Sequence, residues 1–168
     1  MEHLTAATSS EPPRFHGPRD PGDAWVEGDQ ERFWGLFGAA GVLVHDSGQG
    51  VLLQHRAVWS HNGGTWGLPG GALHEGEDAV NGALREAREE AAVPSEAVRV
   101  LFTSVFDVGY WSYTTVAVQV ISSFEPAITD PESIELQWVP VADVGHKELH
   151  PGFAAAWPAL RRSLTHVT

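Results

Sequence analysis

Between Gly70 and Val93 the chain reads GGALHEGEDAVNGALREAREEAAV, and its acids are spaced for joint chemistry. Glu86, Glu89 and Glu90 stand at i, i+3 and i+4. On a helix of about 3.6 residues per turn they fall on one face. Glu77 lies just ahead, and Arg85 is placed to pair with Glu89 one turn on. Carboxylates packed this closely repel one another unless positive charge sits among them, and only Arg85 and Arg88 are near in sequence. A cluster of hard oxygen donors is what Mg²⁺ or Mn²⁺ takes, with water and phosphate oxygens completing the shell. The bland alternative is the solvated face of an ordinary amphipathic helix, the commoner explanation of a lone Glu-Glu pair.

The elements that would position these acids can be read from periodicity. Val80, Ala83, Leu84, Ala87 and Ala91 recur at three- and four-residue steps, which predicts a helix with one apolar face and the glutamates roughly opposite. Asp78 is its candidate N-cap, and Pro94 stops it. Ahead of it, FWGLFGAAGVLVHD and VLLQHRA read as strands joined by a turn at Asp46-Ser47-Gly48, with periodic structure starting near Arg32. Ser60 to Gly71 has the composition of a loop. After the helix, VRVLFTSVFDVG, SYTTVAVQVISSF and IELQWVPVADV read as strands, and HPGFAAAWPALRRSLTHV as helix, with Pro158 either starting or kinking it. The order predicts an α/β fold with a mixed, partly antiparallel sheet.

The 168 residues suit one domain, read as residues 32–168, preceded by a flexible arm, residues 1–31, rich in Pro, Gly, Ser and acids. No uninterrupted apolar run reaches the eighteen or so residues of a membrane span, and the first residues do not read as a secretory signal, so a cytoplasmic location is expected by default. The absence of cysteine excludes disulfides, thiol catalysis and cysteine-bound metal. A net charge of -12, with ten Lys and Arg, argues against a long nucleic-acid partner. An acidic protein holding a polyphosphate needs a cation between them. Any nucleotide partner is then a small molecule; oligomeric state, monomer or homodimer, is left open.

The segment resembles the Nudix box: Gly, five residues, Glu, seven residues, Arg-Glu, an aliphatic, any residue, Glu-Glu, any residue, Gly and an aliphatic. Gly71, Glu77, Arg85, Glu86, Glu89, Glu90 and Val93 stand at those positions. Ala92 replaces the family's Gly, which matters for how the helix ends, and Ala87 is small for its slot. TWGLPGG before the box resembles MutT-like members, as does Trp138 near a closing strand.

The resemblance implies an α/β/α sandwich. It implies that Glu89 and Glu90 hold Mg²⁺ (or Mn²⁺) with a carbonyl of Gly70 or Gly71. Glu86 would be a ligand or the general base, Arg85 would orient the carboxylates, and Glu77 would support the loop. The implied reaction is hydrolysis of a phosphoric anhydride. The nucleotide is foremost a nucleoside triphosphate, oxidised or not, giving monophosphate and pyrophosphate. A dinucleoside polyphosphate is the alternative, on the strength of Tyr110, and a non-catalytic nucleotide-sensing module the reading from another class. Glu132 and Glu135 are candidates for one further acid. Trp66, Tyr110, Trp111 and Tyr113 are candidate base-stacking residues, each set against ordinary packing. Of the histidines, His61 and His74 are the candidates for phosphate, although loop histidines are more often simply exposed. His45 and His55 lie around the expected site, and His146 and His150 have no ligand-like spacing.

Overall fold

The computed structural model describes residues 20–29, 31–129, 131 and 133–168. Expectations placed on residues 1–19 and on Glu132 lie outside the described residues. Nine strands and two α-helices follow in order: β1 Trp25–Glu27, β2 Arg32–Trp34, β3 Ala39–Asp46, β4 Gly50–Arg56, β5 Trp66–Gly67, β6 Gly70–Ala72, α1 Ala79–Ala91, β7 Val98–Asp107, β8 Ser112–Val120, β9 Ser133–Val139 and α2 Pro151–Val167.

Seven strands form one mixed sheet in the order β5-β4-β3-β8-β7, with β6 beside β3 and β9 beside β4. β3 and β8 run parallel from Ala39↔Tyr113 to His45↔Gln119; the other pairings are antiparallel. β3 and β4 meet as a hairpin only at His45↔Val51 and Asp46↔Gly50, where Asp46 accepts from the Gly48 and Gln49 amides. Beyond that they diverge, so β6 can lie against β3 at Gly41↔Gly70 and bring the loop before α1 to the sheet centre.

Alternation along the central strands divides the core into two layers. Val42, Val44, Leu52, Val116 and Val118 face α1, where they meet Ala83, Ala87 and Ala91. Leu43, Val51, Leu53 and Ala117 face the other way, onto Phe153, Trp157, Leu160 and Leu164 of α2. The result is the α/β/α sandwich. Among the described residues no helix is long and apolar enough to cross a membrane.

α1 starts where expected: Asp78 accepts from the Asn81 amide as N-cap. It ends on Ala92 in a left-handed conformation, φ 54°, with its amide donating to the Ala87 and Arg88 carbonyls. The segment after β8 finishes the cap. Ala127 and Thr129 donate backbone amides to the Ala91 and Glu90 carbonyls, and the Thr129 hydroxyl donates to Glu89. Carbonyls that a helix end leaves without partners are thereby satisfied.

Two readings change. Among the described residues strands begin at Trp25 rather than Arg32, because Trp25 pairs across a hairpin with Trp34. The stretch from Ser60 to Gly71 holds β5 and the start of β6, strands too short for alternation to reveal. Of the two places open to Pro158, the start of the helix falls away: Pro151 occupies the first turn of α2 after the N-cap His150, and Pro158 lies inside it.

Candidate functional site

Arg85 organises the acids. Its Nε and Nη2 donate to both oxygens of Glu77, each at 2.9 Å. Its Nη1 donates to Glu86 at 3.0 Å and to Glu89 at 3.1 Å, and Nη2 also reaches the Ala72 carbonyl at 3.1 Å. One guanidinium thus ties the loop, the residue before the helix and two turns of α1. The planar fork explains why Arg suits this position, since an ammonium could not pair bidentately with Glu77 while holding the others. Glu77 also accepts from the His74 amide. The Arg85 hydrogen bonds hold its carboxyl down at about 2.

Glu86 and Glu90 do not lie opposite the apolar stripe. They stand beside it: Glu90 is 7% exposed, and the Glu86 side chain is 14% exposed. The small side chains of Ala83, Ala87 and Ala91 let the helix approach β6 closely, which carries both carboxylates inward. Glu90 accepts from the Gly70 amide at 3.0 Å. The Glu86 carboxylate rests on Gly71, where a Cβ would come within 2.7 Å of it; only glycine leaves that space. Glu89 points outward, with 59% of its side chain exposed, and joins the group through Arg85.

Charge is unbalanced here. Burial raises Glu86 to about 7, against the Arg85 charge, with Glu89 and Asp23 adding to the rise. The Tyr113 hydroxyl lies against Gly41 and Pro69, and its phenol is pushed up by burial, then by Glu90. Arg56, at the end of β4, acts on Tyr113 in the opposite sense, so a guanidinium is in electrostatic reach of the same place. Arg56 is held by donating to the His61 carbonyl at 3.1 Å.

The NUDIX domain profile matches residues 35–162, most of the chain and all of this site. The chain belongs to the Nudix family. A Mycobacterium tuberculosis protein named "Putative 8-oxo-dGTP diphosphatase 3" is 44% identical over 154 residues, covering 85% of this chain and 70% of its own. A Bifidobacterium longum "Nucleoside triphosphate pyrophosphatase/Nudix hydrolase fusion protein" is 41% identical over 87% of this chain and 32% of its own. The crystal structure of a Nudix hydrolase from M. smegmatis, RenU, superposes with a TM-score of 0.79 at 42% identity, covering 88% of this chain and 98% of that one. This Nudix protein is accordingly a hydrolase of phosphoric anhydrides.

Nudix hydrolases use divalent cations. Among the described residues no three His, Cys, Asp or Glu side chains are grouped to hold a metal ion. Arg85 stands between Glu86 and Glu89, and Glu90 turns to Gly70. The chemistry nevertheless fits. The donors are hard oxygens, and the Glu86 carboxyl is held up to about 7 chiefly by burial, a cost to its charged form that a neighbouring cation would offset.

Other side chains singled out in this Nudix sequence have packing or polar partners of their own. Trp66 is 9% exposed, with His55 stacked on its ring at 4.4 Å and the Lys147 ammonium 4.5 Å from its centroid, so it offers no open stacking face. The Tyr110 ring covers Gly28, and its hydroxyl donates to the Glu31 carbonyl. Trp111 stacks on Phe33 at 4.2 Å. Glu135 is exposed on β9, opposite His55. His45 bonds Gln119, His146 stands near Asp143, and His74 lies 3.7 Å from Asp20. His150 accepts from the Gly152 amide and meets the Asn62 amide. Sequence reasoning gave Arg56 no role; its position at a strand end beside the Gly/Asn-rich stretch was the available signal.

Proposed function

We propose that the protein hydrolyses a nucleoside triphosphate, an oxidised guanine nucleotide included, to monophosphate and pyrophosphate with Mg²⁺ or Mn²⁺. The observation that carries this is the packing of Glu86 and Glu90 against the Gly70–Gly71 backbone: the Glu86 carboxylate fills the space that Gly71 leaves, and Glu90 accepts the Gly70 amide. The likeness to the mycobacterial protein named as an 8-oxo-dGTP diphosphatase supports the substrate class.

Glu86, Glu89 and Glu90, with the Gly70 carbonyl, are the groups that would hold the cation. When bound it withdraws charge from the anhydride and acidifies a coordinated water. The remaining work belongs to the chain. Arg85 fixes Glu86 and Glu89 in place, and the Gly70 amide fixes Glu90. Glu86, desolvated beside Gly71, accepts the proton of the attacking water. Arg56 supplies positive charge to the phosphate chain, a task Arg suits by its planar fork.

The test is a panel of nucleoside triphosphates, modified deoxynucleotides and dinucleoside polyphosphates with Mg²⁺. Turnover of a triphosphate is expected, and Glu90→Gln should remove most of it while melting within a few degrees of the parent. A Glu90→Gln variant that kept full rate would overturn the assignment. Preference for a dinucleoside polyphosphate would move the substrate class.

A further inference from the structure

The hairpin of β1 and β2 stands apart from the main sheet and has two unlike faces. Cross-strand pairing sets Val26 opposite Phe33, and Trp25 opposite Trp34 with Glu27 opposite Arg32. Alternation therefore puts Val26 and Phe33 on one face and both tryptophans with Arg32 on the other. The first face is anchored. Phe33 stacks on Trp111 and touches Tyr110, and the Tyr110 ring fits into the space that Gly28 leaves, where a Cβ would meet it at 1.8 Å. The second face is open: Trp25 and Trp34 are each 37% exposed, at 5.3 Å and edge-on. Arg32 lies 4.3 Å from the Trp25 ring centroid.

A two-stranded hairpin is marginal alone, so its anchoring needs a reason. The same segment touches the catalytic region at three points. Trp25 meets His61, whose carbonyl holds Arg56, at 5.6 Å. Asp20 lies 3.7 Å from His74, in the loop before α1. Asp23 is near enough to Glu86 to act on its charge. The hairpin is thus tied through Trp25 to the loop after β4, and the segment just before it is tied through Asp20 to the loop before α1.

We infer that Trp25 and Trp34, steadied by Arg32, form the stacking surface for the nucleobase of the substrate. This rests on the proposed nucleotide hydrolysis and names the part of the site that binds the base. The indole faces offer stacking to any base, and the neighbouring cation adds attraction to an electron-rich ring. Two features favour a base over a protein partner: Trp25 meets His61, whose carbonyl holds Arg56, and the Arg32 cation lies over Trp25.

The test uses the full chain with Mg²⁺ and two probes: dGTP as substrate and inorganic tripolyphosphate, which has no base, as inhibitor of the same assay. Trp34→Ala and Trp25→Ala should each raise the KM for dGTP roughly five- to a hundredfold while kcat and the inhibition constant of tripolyphosphate hold. Trp34→Phe and Trp25→Phe should stay within about threefold, since an aromatic face remains. An unchanged dGTP KM in both Ala variants overturns the inference. So does a parallel loss of tripolyphosphate inhibition, which would mean the hairpin is only structural. If no substrate is turned over, the hydrolytic proposal fails by itself. The stacking surface is then read by titrating GMP without metal: quenching of tryptophan fluorescence that Trp34→Ala removes upholds it, and no quenching overturns it.

Discussion

The Glu86 carboxylate rests directly on the Cα of Gly71, closer than any other side chain could allow at that position. The atoms that would clash are the far end of a glutamate, which can swing aside. Gly71→Ala should therefore fold almost normally but displace Glu86 from its place between Arg85 and the backbone. We expect kcat/KM to fall about a hundredfold, the scale of a misplacement near 1 Å. Circular dichroism melting and steady-state kinetics on the same preparation check it; undiminished activity would contradict the arrangement.

Ala92 holds a left-handed conformation that costs an L-residue about 1–2 kcal/mol. Glycine removes that cost and adds roughly 0.5–1 kcal/mol of its own through backbone entropy. Ala92→Gly should thus raise unfolding free energy by a few tenths to about 1 kcal/mol, read as a higher urea midpoint at unchanged slope. A lower midpoint would show that the Ala92 methyl is needed.

His150 is held down to about 4, first by burial and then by the charges of Arg56 and His61. Its ordinary value is 6.5, so the unfolded chain takes a proton below that pH while the folded protein resists until about 4. Stability from this group is complete above pH 6.5, declines as the pH falls toward 4 and is flat below. His150→Asn, which keeps an N-cap oxygen for Gly152, should lose less melting temperature between pH 6.5 and 4.5 than the parent. Equal losses would assign the decline to other groups.

Trp66 is buried in the layer against α2 with Leu53, Leu68 and Trp157. Trp66→Ala should cost about 3–5 kcal/mol of stability, as aromatic truncations in cores do. Among properly folded molecules, the KM ratio between nucleotides with different bases should stay constant. A change in that ratio with little loss of stability would return Trp66 to the substrate.

Much of this was legible before folding. The alanine spacing gave α1, Asp78 gave its start, and the charges from Glu77 to Glu90 gave the network that Arg85 closes. Periodicity could not reveal that Glu90 is buried, because that depends on how near small alanines let α1 come to β6. Trp25 and Trp34 were hidden for another reason. They lie next to a stretch whose Pro, Gly and acidic composition reads as an arm, and only cross-strand pairing puts them on one face. Trp66 reads as a stacking candidate from its type, and Tyr110 also from its place beyond the box. Their partners, His55 and Gly28, are brought to them only by the fold.

Arg85 meets four acceptor groups at once, and this has a consequence for dissecting the site. Removing any one of Glu77, Glu86 or Glu89 frees the guanidinium to shift, so each single change already misplaces the others. Penalties measured one substitution at a time will then overlap, and their total will exceed the loss found when all three are changed together. Double-mutant cycles pairing each acid with Arg85 will report the energy they hold in common.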